Sequence, residues 1–411
     1  MTAVAYEYSE EIEALRDGIG IFIRNIIIPL HDKHADLLEN DHRKYRPDGS
    51  FGDDLLALMR EVRMKSAEAG YYTMCVPEHM GGAGLGHVAY FAAWEKIFHI
   101  CGARYPLATN IIAHWARGPS AVLEHLSPRL KSEILPAIQS GEKTICFALS
   151  EPGAGSDASQ IKTSARRDGN GWRINGEKIW VTNSPYADYA IVFAVTDPEL
   201  AAARKGGITG FVVPTHAEGF KVDRLIKMFG QNHSDEALLH FNDVYVADDQ
   251  VLGEVGRGFK TAMLGSGLGR IYNVARCVGM GRWALEIAFD YIKVRKTFGK
   301  TLAERQGVTF PLAESATQIY AAHLMSLNAA QLLDKGYPAT KELAMVKAYC
   351  GEVGPRTLDR VIQFHGAMGF TNEMQLFEAY ISMRKIGMAD GSVEIMRHLV
   401  ARKMLEGDMD L

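Results

Sequence analysis

The sequence predicts a mainly helical α+β chain: an N-terminal α-helical domain, a central antiparallel β-barrel or sandwich domain, and a C-terminal helical bundle. Three observations point there. Apolar residues recur at helical spacing early in the chain, at Ile12, Leu15, Ile19 and Phe22, then at Leu55, Leu58, Met59 and Val62. From about 145 to 250 short runs rich in β-formers replace that spacing. After Gly258 the helical period returns and lasts to the end. The implied boundaries are 1–143, 144–253 and 254–411, the last a four-helix bundle.

Within the first domain, Gly81-Gly82-Ala83-Gly84-Leu85-Gly86 reads as a loop between helices. In the second, Asn175-Gly176 between Trp172–Ile174 and Glu177–Val181 predicts a hairpin, because Asn-Gly suits the positive φ angles of a type I′ turn. Further strands are expected at 191–195, 210–213 and 238–246. No helix-length segment separates them, which favours antiparallel pairing over a doubly wound sheet. In the third, long helices are expected near 259–294, 309–334, 338–364 and 372–387, with a shorter one after Gly391.

At 411 residues the chain suits two or three packed units. Its net charge is −4 and its Lys and Arg are scattered, so no basic block exists to neutralise a row of phosphates. A nucleic-acid partner is not expected. Five cysteines, far apart, draw neither a disulfide framework nor a metal knuckle. Glu7, Glu10, Glu11 and Glu13 have the wrong sign for a transit peptide. The apolar run from Ile19 to Leu30 is broken by Arg24 and too short to span a bilayer. The expectation is a cytoplasmic protein without membrane association; a matrix location would need a presequence outside this numbering.

Neither Gly265-Ser266-Gly267-Leu268-Gly269 nor the 81–86 run has the spacing or preceding strand of a Rossmann fingerprint, so any dinucleotide is bound another way. In Cys146-Phe147-Ala148-Leu149-Ser150-Glu151-Pro152-Gly153-Ala154-Gly155-Ser156-Asp157, two glycines let backbone N–H groups approach an anion, and Ser150 and Ser156 add hydroxyls. Plain turn chemistry is the other reading. Trp180 offers a planar face for stacking and Thr182 a hydroxyl on the same side of the strand, although a strand tryptophan also suits a core. The segment Arg295-Lys296-Thr297-Phe298-Gly299-Lys300 suits a pyrophosphate and a purine, or equally a basic helix terminus. Asp390, just before Gly391 and an apolar-periodic helix, taken alone is an N-cap. His31 and His34 match no zinc pattern and read as a wet helix face, and Cys146 has no His nearby to activate it.

Together these segments resemble the acyl-CoA dehydrogenase family. The matched pieces are Pro77–Gly82, 149–157, 175–183, 253–260, 295–306 and 363–370, in order and at near-constant spacing. The resemblance implies non-covalent FAD, an acyl-CoA substrate, an electron-transfer flavoprotein as acceptor, and a homotetramer built as a dimer of dimers. It places Phe147, Leu149, Ser150, Gly155 and Ser156 along the flavin, with Ser156 also near CoA, Trp180 on the isoalloxazine and Thr182 near its N5. Arg295, Thr297, Phe298 and Gln306, with Gln363, Gly366 and Ala367, would reach the FAD of a neighbouring subunit. Ser392 and Glu394 would contact the FAD of their own subunit, and Arg270 and Gly391 the substrate.

The best-known members have Tyr-Glu-Gly-Thr where this chain has Ala389-Asp390-Gly391-Ser392, so the implied base is Asp390. The alternative base position of the family is Gly269, which has no carboxylate, and Ala367 replaces a common glycine. The implied reaction is α,β-dehydrogenation of an acyl-CoA to the trans-2-enoyl-CoA, with Asp390 taking the α-proton and the β-hydride passing to flavin N5. Nitroalkane oxidase and acyl-CoA oxidase share the fold and stand as alternatives, separable by reactivity with oxygen. A flavin-free binding or scaffold homologue is a further alternative, separable by the colour of the protein.

Overall fold

The computed structural model describes residues 7–410. They fall into two compact units, one taking in residues up to 29, 85–109 and those from 268 onward, the other 30–84 and 110–267. The first 143 residues are thus shared between a helical unit and a β-containing unit. No helix among the described residues is long and apolar enough to cross a membrane.

The helical unit contains α1 (Glu10–Phe22), α2 (His87–Cys101), α3 (Ser266–Val294), α4 (Gln306–Asp334), α5 (Thr340–His365), α6 (Leu376–Ile386) and α7 (Val393–Leu405). Ser9 starts α1 by accepting a hydrogen bond from the Ile12 N–H, and Glu10, Glu11 and Glu13 offset the helix dipole in its first turn. Helix α5 packs against α4, α6 and α7, and its buried residues include Leu343, Val346, Val353, Leu358 and Val361. Helix α3 presses on α2 at Gly279, where a Cβ would stand 2.4 Å from the Glu95 carbonyl oxygen. The same Glu95 side chain is wholly buried and pairs with Arg282 of α3 and, at 3.6 Å, with Arg16 of α1. Three helices therefore meet at one desolvated carboxylate, where loss of a partner leaves an unpaired charge.

The second unit is built on an eight-stranded sheet: β1 (Ile145–Ala148), β2 (Ser164–Asp168), β3 (Gly171–Thr182), β4 (Tyr189–Val195), β5 (Ile208–Pro214), β6 (Phe220–Leu225), β7 (Glu236–Ala247) and β8 (Val251–Leu252). The order is β6-β7-β3-β2-β4-β5-β8, with β1 also on β4. The sheet is open, so the expected barrel does not close. Its pairings are mainly antiparallel, but β1 and β2 both run parallel to β4. Both faces are covered, as β4 shows: Ile191 and Phe193 join a core that includes Val122, Leu123 and Ile138, while Ala190, Val192 and Ala194 join Trp172, Ile174 and Phe211. Alternation along the strand sends neighbours to opposite faces.

Two expectations are corrected here. The hairpin turn lies not at Asn175-Gly176 but at Gly169-Asn170, between Asp168 and Gly171, with Gly169 at φ +55°. Asn175 and Gly176 sit inside the continuous strand β3, opposite a bulge in β7 where Asp243 has φ +56°. The Asn175 amide oxygen accepts from the Asp243 N–H at 2.9 Å, so the Asn serves the bulge instead of a turn. Likewise His31 is buried, not on a wet face, although no metal-binding cluster occurs among the described residues.

The α2–α3 contact makes a direct prediction. Gly279→Ala forces the two helices apart and should lower stability by about 1–3 kcal/mol, the usual scale of overpacking. Chemical denaturation checks it, and an unshifted midpoint would contradict the contact.

Candidate active site

The turn between α6 and α7 presents Asp390 from the helical unit. Asp390 has φ +52° and Gly391 φ +96°, both in the left-handed region. For a non-glycine residue that conformation costs about 1–3 kcal/mol and persists only where surroundings impose it. Lys347 of α5 imposes it. Its wholly buried ammonium donates to the Ile386 carbonyl at 2.7 Å and to the Gly391 carbonyl, on either side of Asp390. Ser392, not Asp390, caps α7 by accepting from the Ile395 N–H at 3.3 Å. The simple N-cap reading of Asp390 is therefore wrong, and its carboxylate is free for other work.

That carboxylate is held through one oxygen. Asn273 Nδ2 donates to Asp390 Oδ2 at 2.7 Å and to the Gly269 carbonyl at 2.9 Å. Arg276 Nη2 donates to Asn273 Oδ1 at 2.6 Å, which fixes the amide so that its NH2 faces Asp390. Arg270 Nε lies 3.5 Å from the Asp390 carbonyl. Burial raises the Asp390 pKa above the usual carboxylate range, although Lys347, Asn273, Arg270 and Arg276 all pull it down. Burial also lowers the Lys347 ammonium to about 8.

In the β unit, Phe147, within β1, packs edge-on to Trp115 and against Phe193, and Leu149 joins the same core. The loop that follows is braced from below. Lys178 on β3, wholly buried, donates to the Leu149 carbonyl at 2.9 Å and to Glu151 Oε1 at 2.8 Å. Glu151 also accepts from the N–H groups of Lys162 and Thr163. Burial opposes its charge, yet Lys178, Thr163 and Lys162 hold its pKa below the usual range. Burial lowers Lys178 to about 8. The Ile179 N–H donates to the Ser150 carbonyl at 2.9 Å, so loop and strand bring Ser150 beside Trp180. Trp180 occupies a second bulge, at φ +60°, and is 53% exposed. Val181 turns into the core, leaving Thr182 on the side of Trp180. Gly155 and Ser156 are exposed at the loop's outer edge.

The remaining expected residues cluster at one end of the helical unit. Arg295, Phe298 and Gln306 are exposed, Phe298 at 97%. Thr297 is half-buried, and its carbonyl accepts from Arg305. Gln363 lines an open groove with Phe310, Glu314 and Arg360, and Gly366 and Ala367 follow it. Tyr291 of α3 stacks on His365 of α5 at 4.4 Å, which joins the two stretches. Glu394 is exposed in the first turn of α7.

Three consecutive stretches match the N-terminal, middle and C-terminal domains of acyl-CoA dehydrogenase, over residues 9–142, 146–244 and 256–405. The chain belongs to the acyl-CoA dehydrogenase family. It is 36% identical to the mitochondrial short-chain specific acyl-CoA dehydrogenase of Homo sapiens, over 83% of this chain and 81% of that one. It is 31% identical to the CarC subunit of the caffeyl-CoA reductase–Etf complex of Acetobacterium woodii, over 84% and 90%. Among solved structures, acyl-CoA dehydrogenase from Geobacillus kaustophilus superposes with a TM-score of 0.83 at 25% identity, covering 98% of this chain and 100% of that one. The protein is a flavin-dependent oxidoreductase with FAD as its cofactor.

The residues present fit that cofactor. At Gly153 and Gly155 nothing lies within 4 Å of where a Cβ would stand, so an anion could approach the backbone there. Beside that opening stands a part-exposed indole. Sequence reasoning missed the buried residues behind the surface: Asn273, Arg276 and Lys347 in one unit, Glu151 and Lys178 in the other. A signal existed. Arg270, Asn273 and Arg276 recur every three residues among Ile271, Val274, Ala275 and Val278, and Lys347 interrupts the apolar run from Ala344 to Ala348. A polar residue placed so must find a partner.

Lys178→Met should leave Glu151 buried without its cation, at a cost of about 3–5 kcal/mol. It should also loosen the 149–157 loop, so titration of the apoprotein with FAD should show weaker binding than wild type. Unchanged affinity would separate the brace from the cofactor site.

Proposed function

We propose that this protein dehydrogenates an acyl-CoA thioester to the trans-2-enoyl-CoA, with Asp390 as the base that takes the α-proton. The observation that supports this most is the placement of Asp390: a carboxylate on an imposed turn, partly stripped of water and tethered through a single oxygen. Burial brings its basicity toward working pH, where a general base is most effective.

A thioester α-C–H is a weak acid, so the enolate needs donors aimed at its oxygen as it forms. The Asp390 N–H lies between α6 and α7, outside either helix, and we assign it to the thioester carbonyl. A donor of this kind is worth about 3 kcal/mol. Bound FAD supplies a two-electron acceptor for the β-hydride. Trp180 and Thr182 hold its ring system, while Phe147, Leu149, Ser150, Gly155 and Ser156 hold the rest of this subunit's share. Ser392 and Glu394 lie at the N-terminus of α7, next to Asp390 in sequence. Arg270, beside the Asp390 carbonyl, and Gly391, next to Asp390 in the turn, meet the substrate.

Arg295, Thr297, Phe298, Gln306, Gln363, Gly366 and Ala367 serve a second copy's FAD in a homotetramer. The 97% exposure of Phe298 supports that assignment, since its ring meets only the Arg305 guanidinium at 5.8 Å among the contacts of the described residues. The named Etf complex of the A. woodii relative supports an electron-transfer flavoprotein as acceptor. Aspartate is one methylene shorter than glutamate, about 1.5 Å less reach, which is the scale at which misplacement costs a hundredfold. Either the backbone of the turn moves in or the substrate's α-carbon sits closer; we infer the second, with a branched, cyclic or otherwise non-standard acyl group.

Two measurements test this reading. Asp390→Asn should keep FAD yet reduce it with acyl-CoA about 10²–10⁴-fold more slowly in anaerobic stopped flow; near-normal bleaching would remove Asp390 from the role. In a panel of thioesters, branched or cyclic acyl-CoAs should bleach the flavin fastest. If unbranched saturated chains clearly win, the substrate assignment fails.

A further inference from the structure

The groups behind Asp390 are polar residues buried in the interior of the helical unit. Asn273 is 1% exposed, Arg276 9% and Lys347 0%. Burying an ammonium in a helical core is costly unless hydrogen bonds compensate. Lys347 finds its acceptors in the 386–391 turn, at Ile386 and Gly391, with no carboxylate bonded to its nitrogen among the described residues. Its charge is thus left unneutralised by a direct partner and faces Asp390. The Asn273 amide is equally committed: Arg276 fills its oxygen, so its NH2 must point at Asp390 Oδ2.

We propose that Asn273 and Lys347 are positioning residues for the reaction: Lys347 pins the turn on both sides of Asp390, and Asn273, oriented by Arg276, fixes its carboxylate as an anion through Oδ2. The inference rests on Asp390 being the base. It assigns the proton to a particular atom. Oδ2 is occupied by the amide, and among the described residues no donor occupies Oδ1, so Oδ1 is the oxygen that takes the α-proton. Asn273 keeps its single donor on Oδ2 throughout, and Oδ1 changes from C–O⁻ to C–O–H as the α-C–H bond breaks.

The charged and titratable groups around the turn define what a pH measurement would read. Arg270 and Arg276 face it from α3, and Lys347 with Cys350 one turn on from α5. The Arg384 guanidinium at the end of α6 lies against Gly387, and Glu394 opens α7. Cations on α3 and α5 favour the ionised carboxylate, as does the Asn273 donor. Removing either Lys347 or the amide therefore raises the pH at which Asp390 loses its proton, and the limb where flavin reduction falls with decreasing pH moves to higher pH.

The test is anaerobic flavin reduction by acyl-CoA as a function of pH, in the FAD-loaded enzyme. Lys347→Gln and Asn273→Ala should each move the acidic limb up by about one unit, and lower the limiting rate more than they raise KM. Lys347→Arg restores the cation and should return the limb to its wild-type position. A residue that merely supported the fold would lower stability or flavin content and leave the limb in place, so an unmoved limb in either folded, FAD-loaded variant overturns its assignment. Should Lys347→Gln fail to fold, Lys347→Arg decides its part: a displaced limb there, with the charge retained, overturns the role given to the cation. Asn273→Ala decides the amide's part independently. Asp390→Asn with intact reduction would instead sink the base itself, and is told apart because no acidic limb would then belong to Asp390.

Discussion

A carboxylate gains basicity as it loses water, but the same loss favours the neutral acid, which can abstract nothing. The surroundings of Asp390 set these two tendencies against each other. Burial raises the pKa of Asp390, and an amide and three cations on α3 and α5 act in the other direction. None of these cations makes a hydrogen-bonded ion pair with the carboxylate: Arg270 reaches the backbone oxygen, Arg276 the Asn273 amide and Lys347 two carbonyls. Charge is thus supplied at one remove. A direct pair would have held the group ionised at the expense of its capacity to accept a proton.

The β unit meets a different demand with a related device. Its 149–157 loop stands off the sheet, with Ala154 and Leu149 set in the core that includes Ile138 and Ala262. The support is an ion pair beneath, Lys178 with Glu151, in which each member also binds main chain: Lys178 the Leu149 carbonyl, Glu151 two N–H groups past the loop. Both buried lysines of this kind thus do the same job, converting a desolvated charge into a fixed backbone curve.

Sequence periodicity made the helices legible: α5 carries one apolar stripe, whereas α3 is buried on every side over 271–280 and reads as an unbroken run of apolar and small residues around a few polar ones. Strands β4, β5 and β7 were legible from β-formers, whereas β2 (Ser-Ala-Arg-Arg-Asp) and β6 were hidden by their polar, exposed residues. The misplaced hairpin has a physical origin. Asn-Gly marks a backbone that tolerates positive φ, and a bulge needs that as much as a turn does. The loop 149–157, Trp180 and Asp390 each had a plain structural reading taken alone, and only their order and spacing together, through the family resemblance, singled them out. The groups behind them could not, because a pair such as Asn273 and Asp390 is separated by 117 residues and only the folded chain brings it together.

The two irregularities on β3 and β7 have a consequence for how this sheet can change. One extra residue lies on β7 near Asp243 and another on β3 near Trp180, so the pairing slips by one between them and then recovers. They cancel. Drawing the β3 bulge flat with its extra residue kept would swap inside for outside beyond it, driving the indole inward and Val181 into water. Removing the extra residue itself would restore plain alternation, so each face of the ribbon depends on its bulge staying folded out of the ladder.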